Sequence, residues 1–189
     1  MSNKDFIRQK GNYEELLCYK KSVCVYDVTY YFAHKFLKIG DRTIDQMVQA
    51  ARSGKQNIVE GQAAMPTSFE SALKLTNVAK ASLHELRIDY EDYLRTRQLR
   101  QWSDADAEFV RLREAGREHN ESAYYMGLAE GFNDEQIANL AIILICQTDY
   151  LLYRLLQALH AKFLNEGGFR EQLSRERREA RMKDWNKTK

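Results

Sequence analysis

The stretch NDEQIANLAIILICQTDYLLYRLLQALHAKFLNEGG, from Asn133 to Gly168, decides the fold because its apolar side chains repeat at helical spacing. Ile137, Ala141, Leu144, Thr148, Leu151, Leu155 and Ala158 follow one another at steps of four and three residues, which places them on one stripe of a helix. A second stripe runs beside it through Ile142, Ile145, Asp149, Leu152, Leu156, Leu159 and Phe163. Only Gln136, Asn139, Gln147, Arg154 and Gln157 are left to face elsewhere. A helix apolar over most of its circumference needs neighbours on several sides. The expectation is a bundle, with one stripe facing the other helices and Ile145, Leu152, Leu159 and Phe163 available for contact with another subunit. Asn133 and Gln136 have the spacing of a start signal, and Gly167-Gly168 that of a stop.

Three further long helices can be read outward from this one. The first runs from about Tyr13 to Lys38, with Leu16, Val23, Tyr30 and Leu37 seven residues apart and Tyr19, Tyr26 and Ala33 between them. Gly40 ends it and Asp41 caps the second, which continues through Ile44, Met47, Val48, Ala51, Ile58 and Met65 until Pro66 stops it. Gly54 and Gly61 share one face of the second helix with Ala50 and Asn57. Because a glycine inside a helix costs about 1 kcal/mol relative to alanine, they mark either a close backbone approach or a tolerated weakness. Thr67 and Glu70 have capping-box spacing, and the third helix follows to about Arg97 on the repeat Phe69, Thr76, Leu83, Tyr90 with Ala72, Ala79, Leu86, Tyr93. Beyond Gln98 the repeat lapses. A short helix capped by Ser103 and ending near Gly116 is expected, then an irregular segment whose Tyr124, Tyr125 and Phe132 look exposed and able to lid one end of the bundle.

The fold class is therefore all-α: an antiparallel up-down four-helix bundle over residues 1–168, with a helical insertion at 98–132 between the third and fourth helices. A charged C-terminal extension follows at 169–189. One proline and nine glycines in 189 residues agree with helices rather than a sandwich. The longest unbroken apolar run, Leu140 to Cys146, falls short of the roughly 18 to 20 residues that span a bilayer, and the N-terminus has no hydrophobic leader. A soluble, cytoplasmic protein without a membrane partner is expected. Cys18, Cys24 and Cys146 form no CxxC pair, consistent with a reducing compartment.

Motifs of catalysis do not appear. Glu-x-x-His pairs of di-iron bundles are missing, His84-Glu85 lacks the second histidine of a zinc protease because position 88 is Ile88, and no phosphate loop or nucleophile elbow occurs. His34, His84, His119 and His160 stand singly. No enzyme activity, cofactor or metal is expected. Two polar residues interrupt apolar surroundings, Asn57 and Asp149, and each needs a hydrogen-bond partner; a structural role is favoured. Tyr26, Tyr30, Tyr31, Tyr90, Tyr93, Tyr150 and Tyr153 read as core layers in preference to base-stacking groups.

Cations available for phosphate are Arg42, Arg52 and Lys55 on the second helix and Lys74, Lys80 and Arg87 on the third. Arg170, Arg175, Arg177 and Arg178 lie in a tail, Phe169 to Lys189, with eight basic residues against four acidic ones in a chain of net charge +2. The tail is either a nucleic-acid contact or a solubilising helix of alternating charge, and acids near the other cations leave simple paired faces as an equal alternative.

Arg52-Ser53-Gly54-Lys55-Gln56-Asn57-Ile58-Val59-Glu60-Gly61, Thr67-Ser68-x-Glu70 and Ala81-Ser82-Leu83-x-Glu85-Leu86-x-x-Asp89-Tyr90 resemble the four-helix-bundle proteins encoded in 23S ribosomal RNA intervening sequences. Cys146-Gln147-Thr148-Asp149-Tyr150-Leu151-Leu152 and Phe163-Leu164-x-Glu166-Gly167-Gly168-Phe169-x-Glu171-x-Leu173 are similar to the subgroup called the four-helix-bundle suffix domain. The segment Gln98 to Phe132 departs from the shorter members as an insertion. The resemblance implies an antiparallel bundle assembled into a ring, a homopentamer, without enzymatic activity. A related protein, the accessory protein of diversity-generating retroelements, binds nucleic acid and a reverse transcriptase through a basic surface. The expected function is a non-enzymatic oligomeric scaffold for structured RNA or a nucleoprotein partner, with RNA or a nucleic-acid-processing protein as the expected partner; the alternative is a protein-binding module without nucleic-acid binding.

Overall fold

The computed structural model describes residues 12–166, 174–175, 177–182 and 185. A 3-10 turn, Tyr13–Glu15, leads into α1 (Leu17–Phe36), followed by α2 (Arg42–Ala64), α3 (Phe69–Thr96), α4 (Ala107–Glu118), α5 (Ser122–Gly131) and α6 (Asp134–Glu166). No strand occurs among the described residues, so the chain is all-helical there.

Local chemistry sets most of these boundaries. Gly40, at φ +87°, turns the chain from α1 into Asp41, whose carboxylate accepts from the Thr43 backbone N–H at 2.9 Å. That bond holds the Asp41 carboxyl below its usual range. Asn133 and Gln136 cap α6 reciprocally: each backbone N–H donates to the other side chain's oxygen at 2.9 Å. The expected stop at Gly167-Gly168 lies outside the described residues.

Two starts differ from expectation. The cap of α3 is Ser68, whose Oγ accepts from the Ser71 N–H at 3.1 Å, whereas the Thr67 hydroxyl donates back to the Ala64 carbonyl. Ahead of α4, Ser103 does not cap; its backbone N–H donates instead to Asp106, which also pairs with Arg100, and the helix begins four residues later.

α1 packs on α2 and α6, and α3 packs on the same two helices; α4 lies against α6 and α5 against α1. The four long helices thus close on one core, centred on Val25, Val28, Phe32, Leu83, Leu86 and Tyr90, with Ile137, Leu140 and Leu144 of α6. Every residue from Ile137 to Ile145 is buried, as a helix apolar all round requires. The phase of α1 differs from expectation. Its inward face carries Cys18, Ser22, Val25, Thr29 and Phe32, while Tyr30 is 50% exposed.

Gly54 and Gly61 do sit where α2 meets α3, yet the neighbours differ. A Cβ on Gly54 would lie 2.7 Å from Leu83 Cδ2, so a side chain fills the space rather than backbone. At Gly61 the Ala72 carbonyl oxygen is 3.4 Å from that position.

The second stripe of α6 also requires correction. Ile145, Leu152 and Leu159 are buried by the chain's own helices and present no free face to another subunit. Of that set only Phe163 remains accessible, at 39%, with its ring edge-on to Phe69 at 5.9 Å. By length and composition α6 is long and apolar enough to cross a membrane, because few charged residues interrupt it, yet half of its apolar stretch is buried in the molecule.

Candidate functional site

The cations expected at phosphates are dispersed. On α3, Lys80 Nζ lies 3.0 Å from Asp149 and Arg87 Nε lies 3.2 Å from Glu91. With His84 they line a shallow groove against α6, but their charge is already matched. Asp149 therefore has its partner and sits at the rim. Asn57 is tied locally as well: its amide donates to the Ser53 carbonyl at 2.9 Å and to Ser53 Oγ at 3.2 Å, and that hydroxyl meets Ser82 Oγ across the α2–α3 contact.

Arg42, Arg52 and Lys74 are exposed. In the tail Arg175, Arg177 and Arg178 are exposed, with Arg178 Nε donating to the Ser174 carbonyl at 3.2 Å; Arg170 lies outside the described residues. Lys55 alone of the expected cations on α2 stands over a ring, its Nζ 4.1 Å from the centre of Tyr26 on α1.

That contact opens onto a surface formed by α1. Tyr26, Tyr30 and His34 are spaced four residues apart and form a ladder, with Tyr30 stacked on His34 at 4.1 Å between ring centres and 30° between planes. The His34 ring is fixed by a 2.7 Å contact of Nδ1 with the Tyr30 carbonyl. Beside the ladder Lys35 donates to the Tyr31 hydroxyl at 2.7 Å. Met126 of α5 completes a shallow, open groove, and its one acid, Asp27, accepts from the Ser122 hydroxyl. Arg52 lies one turn before Lys55 on the flank of α2.

The expectation that the tyrosines form core layers holds for Tyr90, which donates to Thr29 Oγ1 at 3.0 Å, and for Tyr93, which donates to Asp134 at 2.9 Å, while Tyr26 and Tyr31 pack half-buried against the core. Tyr30, Tyr150 and Tyr153 are exposed. Position on α1 decides this: Val25, Val28 and Phe32 take the inward face and turn the ladder outward.

Lys21 was not legible as a special residue. It is buried, and its ammonium donates to the Gly116 carbonyl at 2.6 Å, the His119 carbonyl at 2.6 Å and the Tyr125 hydroxyl at 3.2 Å. The acceptors close the C-terminal end of α4, where the helix dipole favours a cation. Burial lowers the lysine pKa from its ordinary value. Its spacing from Leu17, Val25 and Val28 puts it on an apolar stripe, which is the signal that marks it. Tyr125, expected at the surface, is buried as its partner. Tyr124 and Phe132 are half-buried, so α5 is packed along α1 rather than laid over an end of the bundle.

Among the described residues no group of three or more His, Cys, Asp or Glu side chains is placed to hold a metal ion. No family model, curated protein or solved structure compared with the chain matches it.

Proposed function

We propose that the chain is a non-enzymatic helical scaffold that binds structured RNA by stacking unpaired bases on the α1 ladder. In this reading α1, α2, α3 and α6 are an antiparallel up-down four-helix bundle, and α4 with α5 is an insertion between its last two helices. The observation that carries the proposal is the exposed Tyr30–His34 stack with Lys55 and Lys35 beside it. Unpaired loop bases stack on aromatic faces irrespective of sequence, while nearby cations meet the phosphates. The resemblance extends to a relative of that family, the accessory protein of diversity-generating retroelements, which binds nucleic acid through a basic surface.

Anisotropy of a labelled RNA hairpin with an unpaired loop tests it. Affinity should fall steeply with salt, and Arg52→Glu with Lys55→Glu should weaken binding and flatten that slope while leaving the helical content unchanged. Salt-independent binding, or none at low salt, contradicts the proposal.

A second reading, a protein-contact module that forms a ring of its own copies, is favoured by the end of α6. Tyr153, Phe163 and Leu164 remain exposed in its second half. Light scattering decides between a particle of 22.2 kDa and an integer multiple of it.

A further inference from the structure

Between α1, α4 and α6 lies a cleft of about 620 Å³, a size typical of sites for small organic molecules. Its walls are apolar: Leu17 comes from α1, Phe109 from α4, and Ile142, Ile143 and Leu151 from α6. Its charged groups are all of one sign. Lys21, Arg113 and Arg117 line it, and no aspartate or glutamate does.

These cations differ in what they have left to offer. Lys21 supplies charge alone, since its ammonium already donates to Gly116, His119 and Tyr125. Arg113 and Arg117 stand one turn apart on α4, and neither belongs to an ion pair among the described residues. The Arg113 guanidinium lies near the Phe109 ring, 5.6 Å from its centre, and its Nε is buried without a hydrogen-bond acceptor. A buried donor without an acceptor is costly, and a guanidinium is shaped to receive a carboxylate.

We infer that this cleft binds a small amphipathic anion, a monocarboxylate carried on an apolar chain. The carboxylate meets Arg113 and Arg117 on α4, and the chain lies along Ile142, Ile143 and Leu151. The protein's own N-terminal residues, 1–11, are a poor occupant, because they carry Lys4, Arg8 and Lys10 against Asp5 and so have the same sign as the cleft. The cleft shares no residue with the α1 ladder, so either site can fail without the other.

Calorimetric titration of the full chain with decanoate, decanol and decylamine, each below its aggregation threshold, tests the inference. Decanoate should bind about tenfold or more tightly than decanol, with decylamine weakest. Arg113→Gln with Arg117→Gln should bring decanoate down to the affinity of decanol. Leu17, 51% exposed at the edge of the cleft, gives a variant that spares the core. Leu17→Glu should weaken decanoate and strengthen decylamine. Equal affinity for acid and alcohol, absence of decanoate binding, or decanoate binding untouched by both variants overturns the inference.

Discussion

The ammonium of Lys21 on α1 donates at 2.6 Å to the carbonyl of Gly116, 95 residues further along the chain, and so fastens the end of α4 to the bundle. Lys21→Met keeps the apolar stem and removes the donors. The Gly116 carbonyl then loses its partner, while the His119 carbonyl still accepts from Tyr125 at 2.7 Å. One orphaned buried carbonyl costs about 1–3 kcal/mol. Removing a desolvated charge works the other way, but three hydrogen bonds and a helix C-terminus compensate that charge. Denaturant unfolding should show a net loss of about 1–3 kcal/mol, with hydrogen exchange accelerated most at the end of α4 and in α5. Equal or greater stability would mean that desolvation of the ammonium dominates.

Gly54 and Leu83 make a second pair whose coupling is measurable. Alanine at Gly54 gains about 1 kcal/mol of helix propensity, yet its methyl would overlap the Leu83 side chain. Overpacking of about 1–3 kcal/mol should win, so Gly54→Ala lowers the unfolding midpoint. In a double-mutant cycle with Leu83→Ala, the Gly54 change should become neutral or favourable. Additive effects would show that the two sites do not touch.

Ser68 and Thr67 separate two descriptions of how α3 begins. Ser68→Ala removes an N-cap and should cost about 1 kcal/mol, as should Asn133→Ala at α6. Thr67→Ala, which loses only an exposed bond to Ala64, should stay within about 0.5 kcal/mol. The reverse ranking of Ser68 and Thr67 in urea unfolding would restore the capping box at Thr67.

These cases show where the sequence was informative. Caps and stops are written in neighbouring residues, so the ends of α1, α2, α3 and the start of α6 were legible to within a few positions. The phase of α1 was not. Counting tyrosine as apolar and serine or threonine as polar favoured the stripe with Tyr26 and Tyr30 over the one with Ser22, Val25 and Thr29. Small hydroxyls are easily buried when a local acceptor exists, as Ser22 has in the Tyr19 carbonyl. For the same reason the α1 ladder was hidden. Lys21 depends on carbonyls of α4, and no local pattern encodes a partner that distant.

Cysteine chemistry gives a prediction that depends on pH. Burial pushes the thiols of Cys18 and Cys24 up to about 11 from an ordinary 9.0, whereas Cys146 is exposed. Iodoacetamide at pH 8 should therefore label Cys146 alone in the folded protein and all three cysteines in denaturant, as read by peptide mass spectrometry. Between pH 9 and 11 the unfolded chain loses thiol protons that the folded chain keeps, so stability falls across that window. Tyr93, raised to about 12 by burial and by its bond to Asp134, extends the loss upward. Lys21 acts in the opposite direction, since its folded pKa is lowered and its deprotonation below 10.5 favours the fold. The net change should be a loss of stability, because two thiols and Tyr93 keep protons in the folded chain that the unfolded chain gives up. Labelling of Cys18 or Cys24 in the folded protein at pH 8 would contradict their burial.

The most direct measurement is the affinity of one RNA hairpin with an unpaired loop, compared between the parent chain and a Tyr30→Ser, His34→Ser variant at fixed low salt. Both side chains are exposed, so the variant should fold with unchanged helical content. Loss of stacking at about 1–3 kcal/mol per base predicts that the variant binds at least about fivefold more weakly. A fully paired duplex without a loop should bind both proteins equally weakly. If the variant holds the hairpin as tightly as the parent does, the α1 ladder is not an RNA site.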